Sequence, residues 1–516
     1  MEKEKKFMII GVFILLISLV GAAGTYAWFT WSSTNNTNLT MSIGASSDVI
    51  FKNGNDISTN KLAPVFNYTD GEKTSFTITN KSTTSFSYRI SLNITSIDNE
   101  LKNKSLKYKL VSNNTIITEG DFSNIESNSK NTLYEGELSK GNISYIFYLY
   151  IDGNEENDLN MINKSLVGTI TVEERKPALD TLNYLNSLNS TITLANDTPD
   201  FTKVSGNNGG KGDGTKGIYK AEDDLGTSYY FRGAVDNNYV KFANFYWRII
   251  RINGDGSIRM IYAGTSVHTN GESETNSYIS KTAYNSSYND NTFVGYMTGS
   301  TGATTYANTH SNKNNSTIKG VIDTWYKTNI EDKGYSSYVA DAIYCNDRSI
   351  ANDSATNAVF TKAGDTNTGL GYGTNATAYG GFKRNFVDYI PSLKCPNNND
   401  KFTKSSTLGN GKLIYPVALI TSDEIAYAGG SAYNYNTSSY IANTEFYLHT
   451  PSYNYWTLTP WAFAGGRSRV DGWFAAGYLV LGRVYNARGA ARPAVSLSSV
   501  AISGGNGTIN NPFTVG

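Results

Sequence analysis

Tyr455-Trp456-Thr457-Leu458-Thr459-Pro460 opens the stretch that decides how this chain reads, and Ala491-Arg492-Pro493-Ala494-Val495-Ser496-Leu497 closes it. Between those ends the composition changes. Most of the chain is crowded with Asn, Lys, Thr, Ser and Tyr, residues written by A- and T-rich codons. From Trp461 to Arg492 there is one Asn (Asn486), no Lys, and a surplus of Ala, Gly and Arg. Arg467, Arg469, Arg483, Arg488 and Arg492 lie here, with Trp461, Trp473, Phe474, Tyr478 and Tyr485.

A frame shows through the change. Phe463, Val470, Gly477, Leu479, Val484 and Gly489 are spaced like the core and turn positions of short strands. With those turned inward, Arg467, Arg469, Asp471, Arg483, Tyr485 and Arg488 are expected to face water. Arg and aromatic side chains are enriched at binding hot spots, because each gives a large contact with directional chemistry. Trp461, Trp473, Phe474, Tyr478 and Asn486 complete the expected face, which spans 461–490. Trp473 and Phe474 are adjacent, so only one can point outward from a strand. Arg492 reads as structural. The plainer alternative is a small β-rich C-terminus with ordinary surface residues.

The opening Tyr-Trp-Thr-Leu-Thr-Pro, the glycine-punctuated run and the closing Arg492-Pro493-Ala494-Val495-Ser496-Leu497 resemble the C-terminal signature of bacterial C-type-lectin-like domains. These share the fold of the formylglycine-generating enzymes. The variable ligand-binding proteins of diversity-generating retroelements use the same fold. In that family adenine mutagenesis scatters Asn codons into many residue types, so loss of Asn on a regular frame is the trace it would leave.

Length and composition set the bounds. The 516 residues suffice for two or three domains, each with a core. Lys plus Arg total 44 and so do Asp plus Glu, leaving no net charge and no basic stripe of the kind nucleic acid requires. Abundant Tyr, Asn, Ser, Thr and Gly suit exposed β-domains and adaptable recognition surfaces. Cys345 and Cys395 read most simply as one disulfide in a secreted chain, with two free buried thiols as the other reading.

In chain order, Lys3, Lys5 and Lys6 precede an apolar run, Phe7 to Ala23, which reads as an export signal or a membrane anchor. Gly24-Thr25-Tyr26-Ala27-Trp28-Phe29 resembles the export signal of the TasA/camelysin group of matrix proteins. Residues 1–29 are thus expected to send the rest outside the cell. Residues 33–175 read as an antiparallel β-sandwich, because Phe86, Tyr88, Ile90, Leu92 and Ile94 alternate with polar residues, as do Ile143, Tyr145, Phe147, Leu149 and Ile151. Leu106, Tyr108 and Leu110 form a shorter set. Asn53-Gly54 and Asp152-Gly153 mark turns. The matrix-protein resemblance implies a jelly-roll version acting as a stalk.

Residues 176–217 read as a linker, with a short helix at Leu179, Leu182, Leu185 and Leu188 and a flexible Gly-rich stretch from 197 to 217. Residues 218–516 read as the α+β, lectin-like head. Asn253-Gly254-Asp255-Gly256 marks a hairpin between Phe245–Ile252 and Ser257–Tyr262. Ser316 is placed to cap a helix with Ile318, Val321, Ile322, Trp325 and Tyr326 on one face. Tyr415 to Ile420 reads as a buried strand leading into a helix whose first turn holds Asp423 and Glu424, carboxylates matched to the helix dipole. Asn270 to Asn315 reads as polar surface loops of low order.

No catalytic set emerges. His268, His310 and His449 are isolated, without His-Glu-x-x-His spacing. The segment that carries reactive cysteines in the formylglycine-generating enzymes has none here, so the fold carries over and the activity does not. No metal ligand set or cofactor is expected, although lectin-like domains sometimes take calcium. The expected protein is a secreted or surface-displayed binder of a protein or glycan at a cell or phage surface, held to a membrane only if its leader stays uncut. Its rivals are a matrix fibre protein and an enzyme of the formylglycine-generating fold.

Overall fold

The computed structural model describes residues 29–32, 49–53, 64–81, 86–155, 161, 164–175, 177–272 and 277–516. The leader and export-signal expectations on 1–28 lie outside these residues, as does Gly54 of the Asn53-Gly54 turn. The chain divides into two compact units, 1–175 and 176–516.

The first unit is a sandwich whose main strands are β1 Phe29–Ser32, β2 Val49–Asn53, β3 Glu72–Asn80, β4 Phe86–Ile97, β5 Leu106–Ser112, β6 Thr115–Asp121, β7 Ser129–Leu138, β8 Gly141–Asp152 and β9 Ser165–Glu174. One sheet runs β1-β9-β4-β7 and the other β2-β3-β8-β5-β6, with antiparallel pairing between these neighbours. Leaving β2 aside, this is the strand order of a jelly roll. The period-two pattern does what a two-sided strand requires. Ile90, Leu92 and Ile94 of β4 and Phe147 and Leu149 of β8 turn into one shared core. Each such side chain contributes roughly 1.5–3 kcal/mol by leaving water. Tyr88 and Tyr145, from opposite sheets, share a hydrogen bond between their buried hydroxyls.

The second unit is α+β. It opens with α1 Pro177–Leu188, then β10 Gly217–Asp223, β11 Gly226–Arg232, β12 Tyr239–Phe242, β13 Phe245–Ile252 and β14 Ile258–Gly264. The expected hairpin is β13–β14, and its turn closes where Gly256 takes a φ of 86°. Next come α2 Thr317–Tyr326, α3 Ser354–Lys362 and α4 Ser422–Ala428. The Ser316 side chain caps α2, and Ile318, Ile322 and Tyr326 are buried beneath it. Thr421 and Glu424 form a capping box on α4, and Gly429 at φ 111° ends it. The last strands are β15 Tyr455–Ala464, β16 Arg467–Phe474, β17 Tyr478–Arg483, β18 Ala490–Ala491, β19 Ala494–Leu497, β20 Ile502–Gly504 and β21 Phe513–Val515.

Two sheets result. The larger follows β19-β14-β13-β12-β21-β20, with β11 on β13 and β10 on β11. The smaller runs β18-β15-β16-β17. One apolar core, including Trp247, Ile249, Met260, Trp461 and Trp473, serves both.

Three expectations are corrected. Residues 177–217 are not a linker: Ala178, Leu182 and Leu185 join the core, and the Arg232 guanidinium reaches back to Asp213 at 2.8 Å and Thr215 at 2.6 Å. The glycines there supply turns, as at Gly206 (φ 67°) and Gly214 (φ 79°), rather than slack. Residues 270–315 are not loose surface loops, since Tyr284, Val294, Tyr296 and His310 are buried. Val417 to Ile420 is buried as expected, yet makes only an isolated bridge, Ala418 to Ala494, and no strand. The cysteines are bonded, with Cα atoms 5.6 Å apart.

Candidate ligand-binding face

The late strands build the candidate site. β15 and β16 are joined by Gly465-Gly466, with φ of 57° and 68°, the two-residue turn that needs positive φ twice. β16 and β17 close through Gly477 at φ 95°. All six frame residues, Phe463, Val470, Gly477, Leu479, Val484 and Gly489, are buried.

The residues between them divide three ways. Trp461, Asp471 and Trp473 are fully buried, which corrects the expectation that they face water. The Trp461 indole sits among Phe382 at 4.4 Å, Tyr435 at 5.7 Å and Phe360 at 6.0 Å. Trp473 packs on Phe446 at 4.9 Å. Neither Asp471 carboxylate oxygen finds a hydrogen-bond partner, and burial raises its pKa well above the usual range, the nearby Ser422 hydroxyl offsetting this only in part.

The other eight reach solvent in two groups, because β16 and β17 pair Arg469 with Arg483, Gly472 with Val480 and Phe474 with Tyr478. Successive residues on a strand point to opposite faces. Arg467, Arg469 and Arg483 therefore share one face. Tyr485 joins them: its hydroxyl accepts from Arg483 Nη1 at 3.4 Å, and its ring lies 4.6 Å from that of Tyr288.

Phe474, Tyr478, Val480 and Gly482 share the opposite face. There Phe474, Val480, Gly482, Asn486 and Arg488 line a shallow hollow of about 30 Å³, open to solvent, over Tyr455 and Trp456. Glycines shape it. A Cβ at Gly482 would lie 2.3 Å from Trp456 Cζ3, and one at Gly489 would lie 2.3 Å from Trp456 Nε1. Trp456 Nε1 is anchored to the Thr282 carbonyl at 2.8 Å. Beside the hollow, the Tyr440 and Tyr478 rings stand 3.9 Å apart, with Phe474 stacked on Tyr478 at 5.9 Å. Trp456, Tyr288, Tyr440 and Val480 were not among the residues singled out from sequence. Trp456 was set aside as part of the opening signature, and the tyrosines lie far away in a chain rich in them.

Arg492 is structural, as its place in the signature implied: it is buried, donates to the Tyr262 carbonyl at 3.1 Å and covers the Tyr455 ring. Asp423 and Glu424 do more than match a dipole. Arg384 holds Asp423 at 2.9 Å, and Glu424 meets Arg251 at 3.0 Å and Arg259 at 3.5 Å, all buried or nearly so. These pairs lie in the wall of a charged cleft beside the disulfide. The Arg259 and Arg251 guanidiniums keep Glu424 below the usual carboxylate range despite its burial. The histidines are held singly: His310 Nε2 meets the Gly371 carbonyl at 2.9 Å, His449 has a buried Nδ1 without a partner, and burial pushes its pKa down to about 4. Among the described residues no group of three or more His, Cys, Asp or Glu is placed to hold a metal ion.

No protein-family model matches the chain, and no curated protein is similar to it. Among solved structures, similarity is found to a family 35 carbohydrate binding module from an environmental isolate (14% identity, 29% of this chain and 87% of that one, TM-score 0.16). It is also found to a PA14 sugar-binding domain from an RTX adhesin (11% identity, 30% and 90%, TM-score 0.13). TM-scores this low carry no argument about this chain.

Proposed function

We propose that this chain is a secreted or surface-displayed binding protein, in which a jelly-roll stalk carries a C-type-lectin-like head. The observation that carries the reading is the hollow over Trp456. Its floor is fixed by glycine contacts and the Trp456–Thr282 hydrogen bond, whereas its walls, Phe474, Val480, Asn486 and Arg488, project from strands β16 and β17 and the loop that follows. An aromatic floor with a few polar groups is the usual make-up of a ligand site, and a hollow this small and shallow suits the edge of one side chain or sugar ring rather than a whole buried ligand.

Retroelement diversification is part of the proposal. It is supported by the composition shift between 461 and 492 and by the unpartnered Asp471 carboxyl, since a position varied without regard to packing can land a polar group in the interior. The genomic test is a near-copy of the codons for 461–492, differing at adenines, beside a reverse-transcriptase gene.

The binding test uses the full chain on a glycan array and on a display library of cell-surface protein fragments. Phe474→Ala and Arg488→Ala should each weaken every hit by at least tenfold with an unchanged melting temperature. Hits that survive both substitutions would remove the hollow from the site.

A further inference from the structure

The arginine face behind the hollow has a different chemistry. Arg469 and Arg483 stand directly opposite each other on β16 and β17, and Arg467 lies two residues before Arg469 on the same side. Like charges set opposite each other on neighbouring strands destabilise a sheet. Folded proteins ordinarily relieve this with an acid. Here, among the described residues, no carboxylate oxygen comes within 4.0 Å of any of the three guanidiniums. Asp365 is near, but it spends one oxygen on the Gly465 amide at 2.7 Å. Arg469 Nε is buried without a hydrogen-bond partner, its guanidinium held 5.8 Å over the Trp461 ring. Burial lowers the Arg469 pKa, with Arg483 and Arg467 adding to the effect and Asp365 opposing it. The three cations thus sit within electrostatic reach of one another, and the fold provides them no ion-pair partner.

We propose that Arg467, Arg469 and Arg483, with Tyr485 and Tyr288 beside them, dock an acidic segment of a protein partner through its carboxylates. The inference rests on the second unit being a binding domain, though not on the hollow. Guanidinium forks match carboxylates in geometry and keep their charge under all physiological conditions. Protein is favoured over glycan because the three guanidiniums offer charge in place of the aromatic floor that a sugar ring stacks on. The face is also built from Arg and Tyr, the residue types that dominate protein–protein hot spots.

The test measures binding of fluorescein-labelled poly-L-glutamate to the full chain by anisotropy, at 10 mM and 150 mM salt. Saturable binding is expected, weakening as the screening length shortens. The triple variant Arg467→Gln, Arg469→Gln, Arg483→Gln should bind at least tenfold more weakly, while Phe474→Ala binds as wild type. Because the Arg469 guanidinium also covers Trp461, the double variant Arg467→Gln, Arg483→Gln, whose residues lie nearer the surface, should melt with the wild type and still bind more weakly, which separates lost charge from misfolding. No binding, or binding that survives the triple variant, overturns the proposal. Capture of polygalacturonate or a single-stranded DNA oligonucleotide in place of polyglutamate also overturns it, by moving the partner to another class. Loss of the hollow's ligands with polyglutamate binding intact would sink the hollow reading alone.

Discussion

Trp461→Ala separates the face read from sequence from the one the fold builds. If the indole were a ligand contact, its removal would abolish capture and leave stability unchanged. In the structure it has no exposed surface and is walled by Phe360, Phe382, Phe386 and Tyr435 on one side and the Arg469 guanidinium on another. Removing a buried ring that covers roughly 200 Å² forfeits about 5 kcal/mol of transfer free energy at ~25 cal/mol per Å². Measured truncations of this kind cost ~3–5 kcal/mol, because neighbours relax part of the way into the cavity. At roughly 2 °C per kcal/mol for a unit of this size, the melting temperature should drop by about 6–10 °C. The assay is differential scanning calorimetry of the purified full chain without reductant, with Arg483→Ala as the exposed control, expected within about 1 °C of wild type. A Trp461→Ala protein that melts with the control would refute the core assignment and return Trp461 to the surface.

Other outcomes follow from the same interior. Burial holds the Asp471 carboxyl well above the usual carboxylate range, so the unfolded chain gives up this proton first and the group's contribution to stability falls as pH rises above about 4. Urea titrations from pH 4 to 7 should show Asp471→Asn flattening that slope and gaining stability at pH 7; an unchanged slope would mean the carboxyl is solvated. His449 acts in the opposite direction: buried neutral with its pKa near 4, it should cost stability as pH falls from about 6.5 toward 4, and His449→Gln should remove that part of the acid sensitivity. Glu424→Gln strips the buried Arg251 and Arg259 of a shared counter-charge and should cost ~3–5 kcal/mol in denaturant unfolding, whereas a loss below 1 kcal/mol would argue for water in that cleft. Reducing the Cys345–Cys395 bond releases a loop of 50 residues and should cost about 4 kcal/mol, read as a lower urea midpoint.

What could be read from sequence and what could not divide along a physical line. Local rules held where the cause is local. Alternation placed Ile90, Leu92 and Ile94 in the sandwich core, Ser316 capped its helix, and the frame residues Phe463, Val470, Leu479 and Val484 are all buried, although Val470 and Leu479 lie on opposite faces of the sheet and each face is covered. The same logic expected one shared face at 461–490, and the structure corrects it, with Arg467, Arg469, Arg483 and Tyr485 on one side of the sheet and Phe474, Asn486 and Arg488 around the hollow on the other. It missed Trp461, Asp471 and Trp473 because strand periodicity does not say which face is covered. The cover over Trp461 comes from Phe360, Phe382 and Phe386, far away in sequence, and Trp473 lies under Phe446. The hollow was invisible for a related reason: Gly482 and Gly489 make room for Trp456, a contact between residues that no spacing rule connects.

The Gly-rich passage before β10 has a practical consequence for anyone dividing the molecule. It looks like a place to cut, yet Asp213 and Thr215 satisfy the buried Arg232 guanidinium, and Leu182 and Leu185 seal the core beneath β11 and β13. A fragment begun at residue 218 would strand a cation in an oily interior and uncover a greasy groove, so it should clump or be digested. Begun at residue 176, it keeps its own lid.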